Sequence, residues 1–103
     1  MKLKVAAVQT FSKLGDTEAN LKTVLQFTRE AAANGANLIV FPECMNAGYV
    51  WDDPGHARDC ADPIPGTMTR GLAQVTSELD VYVAIGISER EGDKVYNSIA
   101  LVG

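Results

Sequence analysis

The 103-residue sequence is poor in the features that mark several large protein classes: it has two cysteines, one histidine, 7% aromatic residues and no long apolar run. Cys44 and Cys60 are too few for a disulfide framework and have no zinc-binding spacing, so we expect reduced thiols, with a bridge between them as the alternative. No stretch approaches the roughly 20 apolar residues that span a bilayer, which excludes a membrane partner. The start of the chain turns polar too early for a signal peptide, and we expect a cytoplasmic protein.

Positive charge is also scarce. Nine Lys and Arg residues stand against 13 Asp and Glu residues, which gives a net charge of −4. No stretch gathers the basic side chains into the stripe that phosphate contacts require, so we do not expect nucleic acid as a partner. A content of 47% hydrophobic and 21% charged residues is typical of a soluble globular protein, here a single domain over residues 1–103.

Hydrophobic periodicity predicts four strands, at residues 3–8, 37–41, 81–88 and 95–102. Between them, two helical faces are formed by the residues Leu21, Val24, Leu25, Thr28, Ala31 and Ala32, and by the residues Met68, Leu72, Val75 and Leu79. We expect Asp16 or Thr17 to cap the first helix and Asn34 and Gly35 to end it, and we expect Thr67 to cap the second.

Two segments read as connections. Residues 42–66 hold all four prolines and three glycines, which predicts irregular structure in a loop long enough to be functional. Gly92 and Asp93 suit the turn of a hairpin between the last two strands.

The order β-α-β-α-β-β predicts an α/β fold with right-handed crossovers and a terminal antiparallel hairpin. All four strands are apolar on both sides. A helix about 10 Å wide covers about two strands spaced at about 4.8 Å, so two helices shield roughly half of the sheet's two faces. We therefore expect exposed apolar sheet that meets more chain or a second subunit, and a homo-oligomer is the predicted state.

The stretch "LIVFPECMNAGY" places Glu43 just after a buried strand, at the carboxyl end where α/β sheets bind ligands. Partial desolvation there would disfavour the charged form and tune Glu43 as a proton acceptor near neutral pH. A surface glutamate that caps the turn after Pro42 is the alternative. Tyr49 and Trp51 are candidates for the wall of a substrate pocket, or for a cover over the sheet edge.

Other candidate groups carry less chemistry. Neighbours on an extended segment point to opposite faces, so Glu43 is poorly placed to serve Cys44. We expect both Cys44 and Cys60 to be buried and inert. His56 lies near the acidic residues Asp52, Asp53, Asp59 and Asp62, but without a recognised ligand spacing, so no metal is expected. Because the sequence also lacks a glycine-rich phosphate loop, we expect no cofactor.

Several motifs occur in a recognisable order along essentially the whole chain: "AVQ" in the first strand, Asn20, "NGANLIVFPE" leading to "GY", "PIPG", "VYVAIGISER" and "VYNSIALVG". Together they resemble the amino-terminal part of the nitrilase superfamily of carbon-nitrogen hydrolases. The sequence departs from the family at Asp80, where the family often has glycine. The resemblance implies that this chain is the amino-terminal half of a four-layer α-β-β-α sandwich, in which a second sheet packs on the first.

The resemblance also implies a Glu-Lys-Cys catalytic triad in which Glu43 is the general base. The cysteine attacks the carbon of a linear amide, carbamoyl compound or nitrile and leaves a thioester that water hydrolyses. Lys94 is out of register with the family's lysine, and Cys44 does not match the nucleophile's motif. We therefore expect an inactive front part of a longer small-molecule hydrolase, with an amidase preferred over a nitrilase.

Two alternatives from other classes stay open. One is a non-catalytic truncated relative that associates through its exposed sheet. The other is a small-molecule binding α/β module that uses Tyr49 and Trp51.

Overall fold

The computed structural model describes residues 2–49 and 53–103, which form a mixed α/β fold around one four-stranded sheet. The elements, in chain order, are β1 (Val5–Ala7), α1 (Thr17–Ala33), β2 (Leu38–Val40), α2 (Pro54–Cys60), α3 (Thr67–Leu79), β3 (Tyr82–Glu91) and β4 (Lys94–Val102). The strand order is β1-β2-β3-β4; the first three strands are parallel, and β4 runs antiparallel to β3. No helix within these described ranges is long and apolar enough to cross a membrane.

The ends of the two long helices show which capping predictions hold. Asp16 caps α1 by accepting a hydrogen bond from the Ala19 N–H at 3.1 Å, as predicted, and Gly35 follows the helix with a left-handed φ of 91°. The predicted cap at Thr67 is wrong, because α3 begins at Thr67 and Gly66 is the N-cap. Backbone N–H groups at the start of α3 have no partner within the helix, and side chains accept from them instead. The Thr69 hydroxyl accepts from the Gly66 N–H, and the Asp62 carboxylate accepts from the Met68 N–H.

The prediction of irregular structure throughout residues 42–66 is also wrong, since α2 lies within it. Pro54 occupies the first turn of α2, where its missing N–H is not needed, and the Asp53 carboxylate accepts from the Gly55 N–H at 2.9 Å. A proline after an aspartate thus starts a helix here instead of preventing one.

The strands agree with the predicted order but differ in length. β1 and β2 are three residues each, shorter than predicted, whereas the β3-β4 hairpin is longer and turns at Gly92 and Asp93 as expected. Gly92 has φ 60°, a conformation that costs glycine little.

The two faces of the sheet have opposite environments. Helices α1 and α3 pack on one face, where Ile39, Val83 and Ile85 are fully buried against Val24 and Leu72. The other face, which we call the open face, carries the residues Val5, Val40, Tyr82, Ala84, Ile99 and Leu101. Ile99 is 80% exposed and Leu101 69% exposed. The prediction of exposed apolar sheet is therefore confirmed, with both long helices on the same side.

Candidate active site

Glu43 lies on the open face because the chain, directly after it leaves β2, passes over β3 at Gly86. The Phe41 N–H donates to Ala84 O at 2.9 Å, the Gly86 N–H donates to Pro42 O at 3.1 Å, and the Met45 N–H donates to Gly86 O at 2.9 Å. A Cβ on Gly86 would overlap the Cα of Glu43 and lie 2.7 Å from Pro42 O. The missing side chain at Gly86 is what lets the Glu43 backbone rest on the sheet.

The Glu43 carboxylate is held by one hydrogen bond on each oxygen. The Tyr49 hydroxyl donates to Oε1 at 2.7 Å, and Nδ2 of Asn97, on β4, donates to Oε2 at 3.0 Å. These donors stabilise the charged form, so the pKa of Glu43 is lowered from its usual value, first by Asn97 and second by Tyr49, against a smaller opposing effect of burial. The expectation of a raised pKa is wrong, because Glu43 is exposed and its hydrogen bonds outweigh desolvation.

Tyr49 donates a hydrogen bond directly to the candidate base, Glu43. The sequence predicted Tyr49 only as part of a pocket wall or as a cover over the sheet edge. The hydrogen bond to Glu43, followed by burial and the charges of Glu43 and Cys44, raises the pKa of Tyr49. Tyr49 therefore stays protonated and remains a donor at neutral pH. Trp51, predicted beside it, lies outside the described residues.

An open depression of about 260 Å³ lies beside Glu43 on the open face. Its other lining residues are Val40, Phe41, Ala84, Gly86, Asn97 and Ile99. Apart from Glu43 itself, these residues carry no ionisable side chain. The site thus joins one charged carboxylate to an apolar floor, a combination suited to a small molecule with one polar group.

A buried amide network fixes the turn that follows Glu43. Asn46 is fully buried: its Nδ2 donates to Ser88 O at 3.1 Å, and its Oδ1 accepts from the Ser88 N–H at 2.9 Å. Nδ2 of Asn20, on α1, donates to Asn46 O at 2.9 Å and to Lys13 O at 2.8 Å. The network ties the turn to β3, to α1 and to the loop after β1. Sequence reasoning missed Asn46, because its only signal was a polar residue next to a tight turn.

Cys44 is buried and unpaired, as predicted, but the extended backbone assumed in arguing that Glu43 cannot serve it is wrong. The residue is not extended: it has φ 54° in a turn over residues 43–47. Its side chain is 3% exposed, whereas Glu43 is exposed, so the two side chains still lie in different environments. Cys60 is also unpaired, but the prediction that it is buried is wrong, because on α2 its side chain is only partly covered.

The remaining predicted candidates do not join this site. His56 lies exposed on α2. Within residues 2–49 and 53–103, no three His, Cys, Asp or Glu side chains are grouped so that they could hold a metal ion.

Residues 4–103 match the family model described as carbon-nitrogen hydrolase. The chain belongs to this family, which confirms the resemblance of its motifs.

Known relatives agree with this assignment. A nitrilase of Pyrococcus abyssi (strain GE5 / Orsay) is 33% identical over 102 residues, which are 98% of this chain and 39% of the relative. The omega-amidase NIT2 of Mus musculus is 36% identical over 85 residues, covering 82% of this chain and 30% of the relative.

A solved structure shows the fold. It is a CN-hydrolase superfamily protein from Xanthomonas campestris with an arsenic adduct in its active site, and it matches 97% of this chain with a TM-score of 0.79 at 19% identity. The match covers 36% of that protein. The chain therefore spans well under half the length of these relatives.

Proposed function

We propose that this chain is the amino-terminal part of a hydrolase that cleaves the carbon-nitrogen bond of a small linear amide, carbamoyl compound or nitrile, with Glu43 as general base. The observation that carries the proposal is the Glu43 carboxylate, fixed on both oxygens and facing an apolar depression. A lowered pKa leaves Glu43 ionised at neutral pH, which is the state that accepts a proton.

The chemistry for an amide runs in two stages. Glu43 takes the proton of a cysteine thiol as the sulfur attacks the carbonyl carbon, and a lysine stabilises the developing oxyanion. The proton then passes to the leaving nitrogen, the C–N bond breaks, and ammonia or an amine departs from a thioester. Water attacks the thioester and gives its proton to Glu43, the C–S bond breaks to release the acid, and Glu43 returns the proton to the sulfur to restore the thiol.

The lysine and the cysteine of this scheme come, in our proposal, from further chain that packs on the open face. Lys94 is a poor candidate for the lysine. It lies opposite Glu91 in the β3-β4 register, beside the hairpin turn, and strand alternation places its side chain on the opposite face of the sheet from Asn97. Cys44 is buried in the turn behind Glu43. Two observations support a second sheet that covers the open face. The apolar residues of this face are exposed, and the chain spans only 39% and 30% of the lengths of the two relatives.

The depression favours a short apolar acyl chain as the group next to the scissile bond. Val40, Ala84 and Ile99 offer hydrocarbon contacts but no charge to pair with a second carboxylate. The choice between amide and nitrile stays open, since the relatives include both a nitrilase and an omega-amidase.

Release of ammonia from short aliphatic amides and nitriles by the complete protein tests the role of Glu43. We expect Glu43→Gln to lower the rate by about 10²–10⁴, because an amide cannot accept the proton. Glu89→Gln is the matched control: Glu89 also accepts a side-chain hydrogen bond across β3 and β4, from Ser98 at 2.8 Å, and it should retain the wild-type rate. Full activity of Glu43→Gln would contradict the proposal.

The open face also supports the alternative of a non-catalytic relative that associates through this surface. The same assay separates the two functions. Turnover that depends on Glu43 excludes the alternative, whereas association without any ammonia release supports it. The homo-oligomer and the cytoplasmic location stay predictions.

A further inference from the structure

We propose that Asn97 is a positioning residue for Glu43 and that, with Tyr49, it clamps the carboxylate in the orientation that faces the depression. The inference rests on the proposed role of Glu43 as the base and assigns a function to a residue of β4 that the motif alone does not explain. Two donors from separate parts of the chain meet one carboxylate, one on each oxygen.

The two donors restrict different motions of the side chain. Tyr49 follows Glu43 by six residues and belongs to the same loop, so by itself it would move with that loop. Asn97 is separated from Glu43 by 54 residues and stands on the β3-β4 hairpin, paired with Ser88. The bond from Asn97 therefore fixes the carboxylate relative to the sheet that forms the floor of the depression.

An uncharged donor is suited to this position. A lysine or arginine there would form an ion pair with the carboxylate and weaken it as a base, and an aspartate would repel it. The amide of Asn97 donates a hydrogen bond without adding charge. The hydroxyl of Tyr49 does the same while it stays protonated.

Among the residues that the structure describes, few ionisable groups surround Glu43. Tyr49 is bonded to it and Cys44 is its chain neighbour. The β2, β3 and β4 residues that line the depression beside it are Val40, Ala84, Gly86, Asn97 and Ile99, and none of them titrates. Removal of the Asn97 donor should raise the pKa of Glu43, because this donor is the largest cause of its lowered value.

The test uses Asn97→Ala and Asn97→Asp in the complete protein, with Ser98→Ala as the matched control. Ser98 neighbours Asn97 and also donates to a glutamate, Glu89, but on the other face of the sheet. The measurements are NMR titration of the glutamate side-chain carboxyl groups and the pH dependence of kcat and kcat/KM.

We expect Asn97→Ala to move the titration of Glu43 and the acidic limb of the rate profile to higher pH, and Asn97→Asp to move them further. At neutral pH, kcat should fall about 10- to 100-fold with little change in KM, less than the loss from Glu43→Gln. Ser98→Ala should leave both the titration and kcat unchanged. A structural role alone would change stability in all three variants without moving the titration.

The proposal is overturned if Glu43 titrates identically in the wild type and in Asn97→Ala, or if Ser98→Ala shifts it equally. The hydrolase proposal fails by a different result, namely no turnover in the wild type or full turnover in Glu43→Gln. In that case the NMR titration still decides whether Asn97 holds the carboxylate.

Discussion

Glu43 shows how one residue can be exposed and still have a fixed geometry. Its carboxylate is in contact with water, yet both oxygens have a protein donor. If a second layer covers the open face, desolvation will favour the neutral acid, and the bonds from Tyr49 and Asn97 will oppose it more strongly in a lower dielectric. The arrangement is therefore suited to keep a base ionised inside a closed site.

A substitution at Gly86 tests whether the close approach of the Glu43 backbone to β3 depends on this one residue. We expect Gly86→Ala to lower the free energy of unfolding by about 1–3 kcal/mol and to reduce turnover, because the new methyl group meets backbone atoms of Pro42 and Glu43 that cannot swing away. Gly71→Ala is the control: its Cβ meets only the end of the Leu21 side chain, and alanine favours the helix. Chemical denaturation and the ammonia assay measure the two effects. A Gly86→Ala protein as stable and active as the wild type would refute this account of the crossing.

At the scale of elements, the end of α3 accounts for the departure from the family at Asp80. Asp80 is the residue that ends the helix, with φ 55° and ψ 52°, and its N–H donates to Thr76 O. Glycine adopts this left-handed conformation without steric cost, which explains why it is frequent at such positions. Aspartate tolerates it better than most residues do.

Replacement of this residue should therefore stabilise the protein. We expect Asp80→Gly to raise the free energy of unfolding by about 0.5–1 kcal/mol. Glycine removes the steric cost of the left-handed conformation, and this gain exceeds the loss caused by the greater freedom of glycine in the unfolded chain. Asp80→Ala should lower it, since alanine has neither glycine's freedom nor a short polar side chain. Urea denaturation of the two variants provides the comparison. An Asp80→Gly protein less stable than Asp80→Ala would contradict this reading.

The elements also show what the sequence could and could not predict. The succession of the strands and long helices along the chain, the α1 cap at Asp16 and the turn at Gly92 follow from local rules, because period, cap and turn residues act over a few neighbours. α2 was missed because proline is read as a breaker, although it fits a helix's first turn. The bonds of Asn97 and Asn46 to residues more than 40 positions away have no local signature.

The site was predictable to a similar degree. Glu43 could be singled out as a candidate from its place after a buried strand and from the family resemblance of its motif, whereas its lowered pKa depends on donors that only the fold brings near. The left-handed backbone of Cys44 likewise gave no signal, since the motif around it reads as extended chain.

At the scale of the whole molecule, the sheet has one covered face and one open face, and the candidate base lies on the open one. Tyr82, Ile99 and Leu101 are each more than half exposed. Exposed apolar surface of this extent usually marks an interaction surface or a ligand-binding groove. We propose that the open face is an internal surface of a hydrolase and that Glu43 acts within it.

The most direct measurement of this claim is the rate of thiol alkylation in the complete protein, with cysteine introduced at one open-face site outside the Glu43 depression, Leu101→Cys, and at one exposed site on α3, Ser77→Cys. Mass spectrometry separates these sites from Cys44 and Cys60. We predict that the Leu101→Cys thiol is protected while the Ser77→Cys thiol reacts rapidly. Equal rapid modification of both would show that the open face stays in water and would contradict the account.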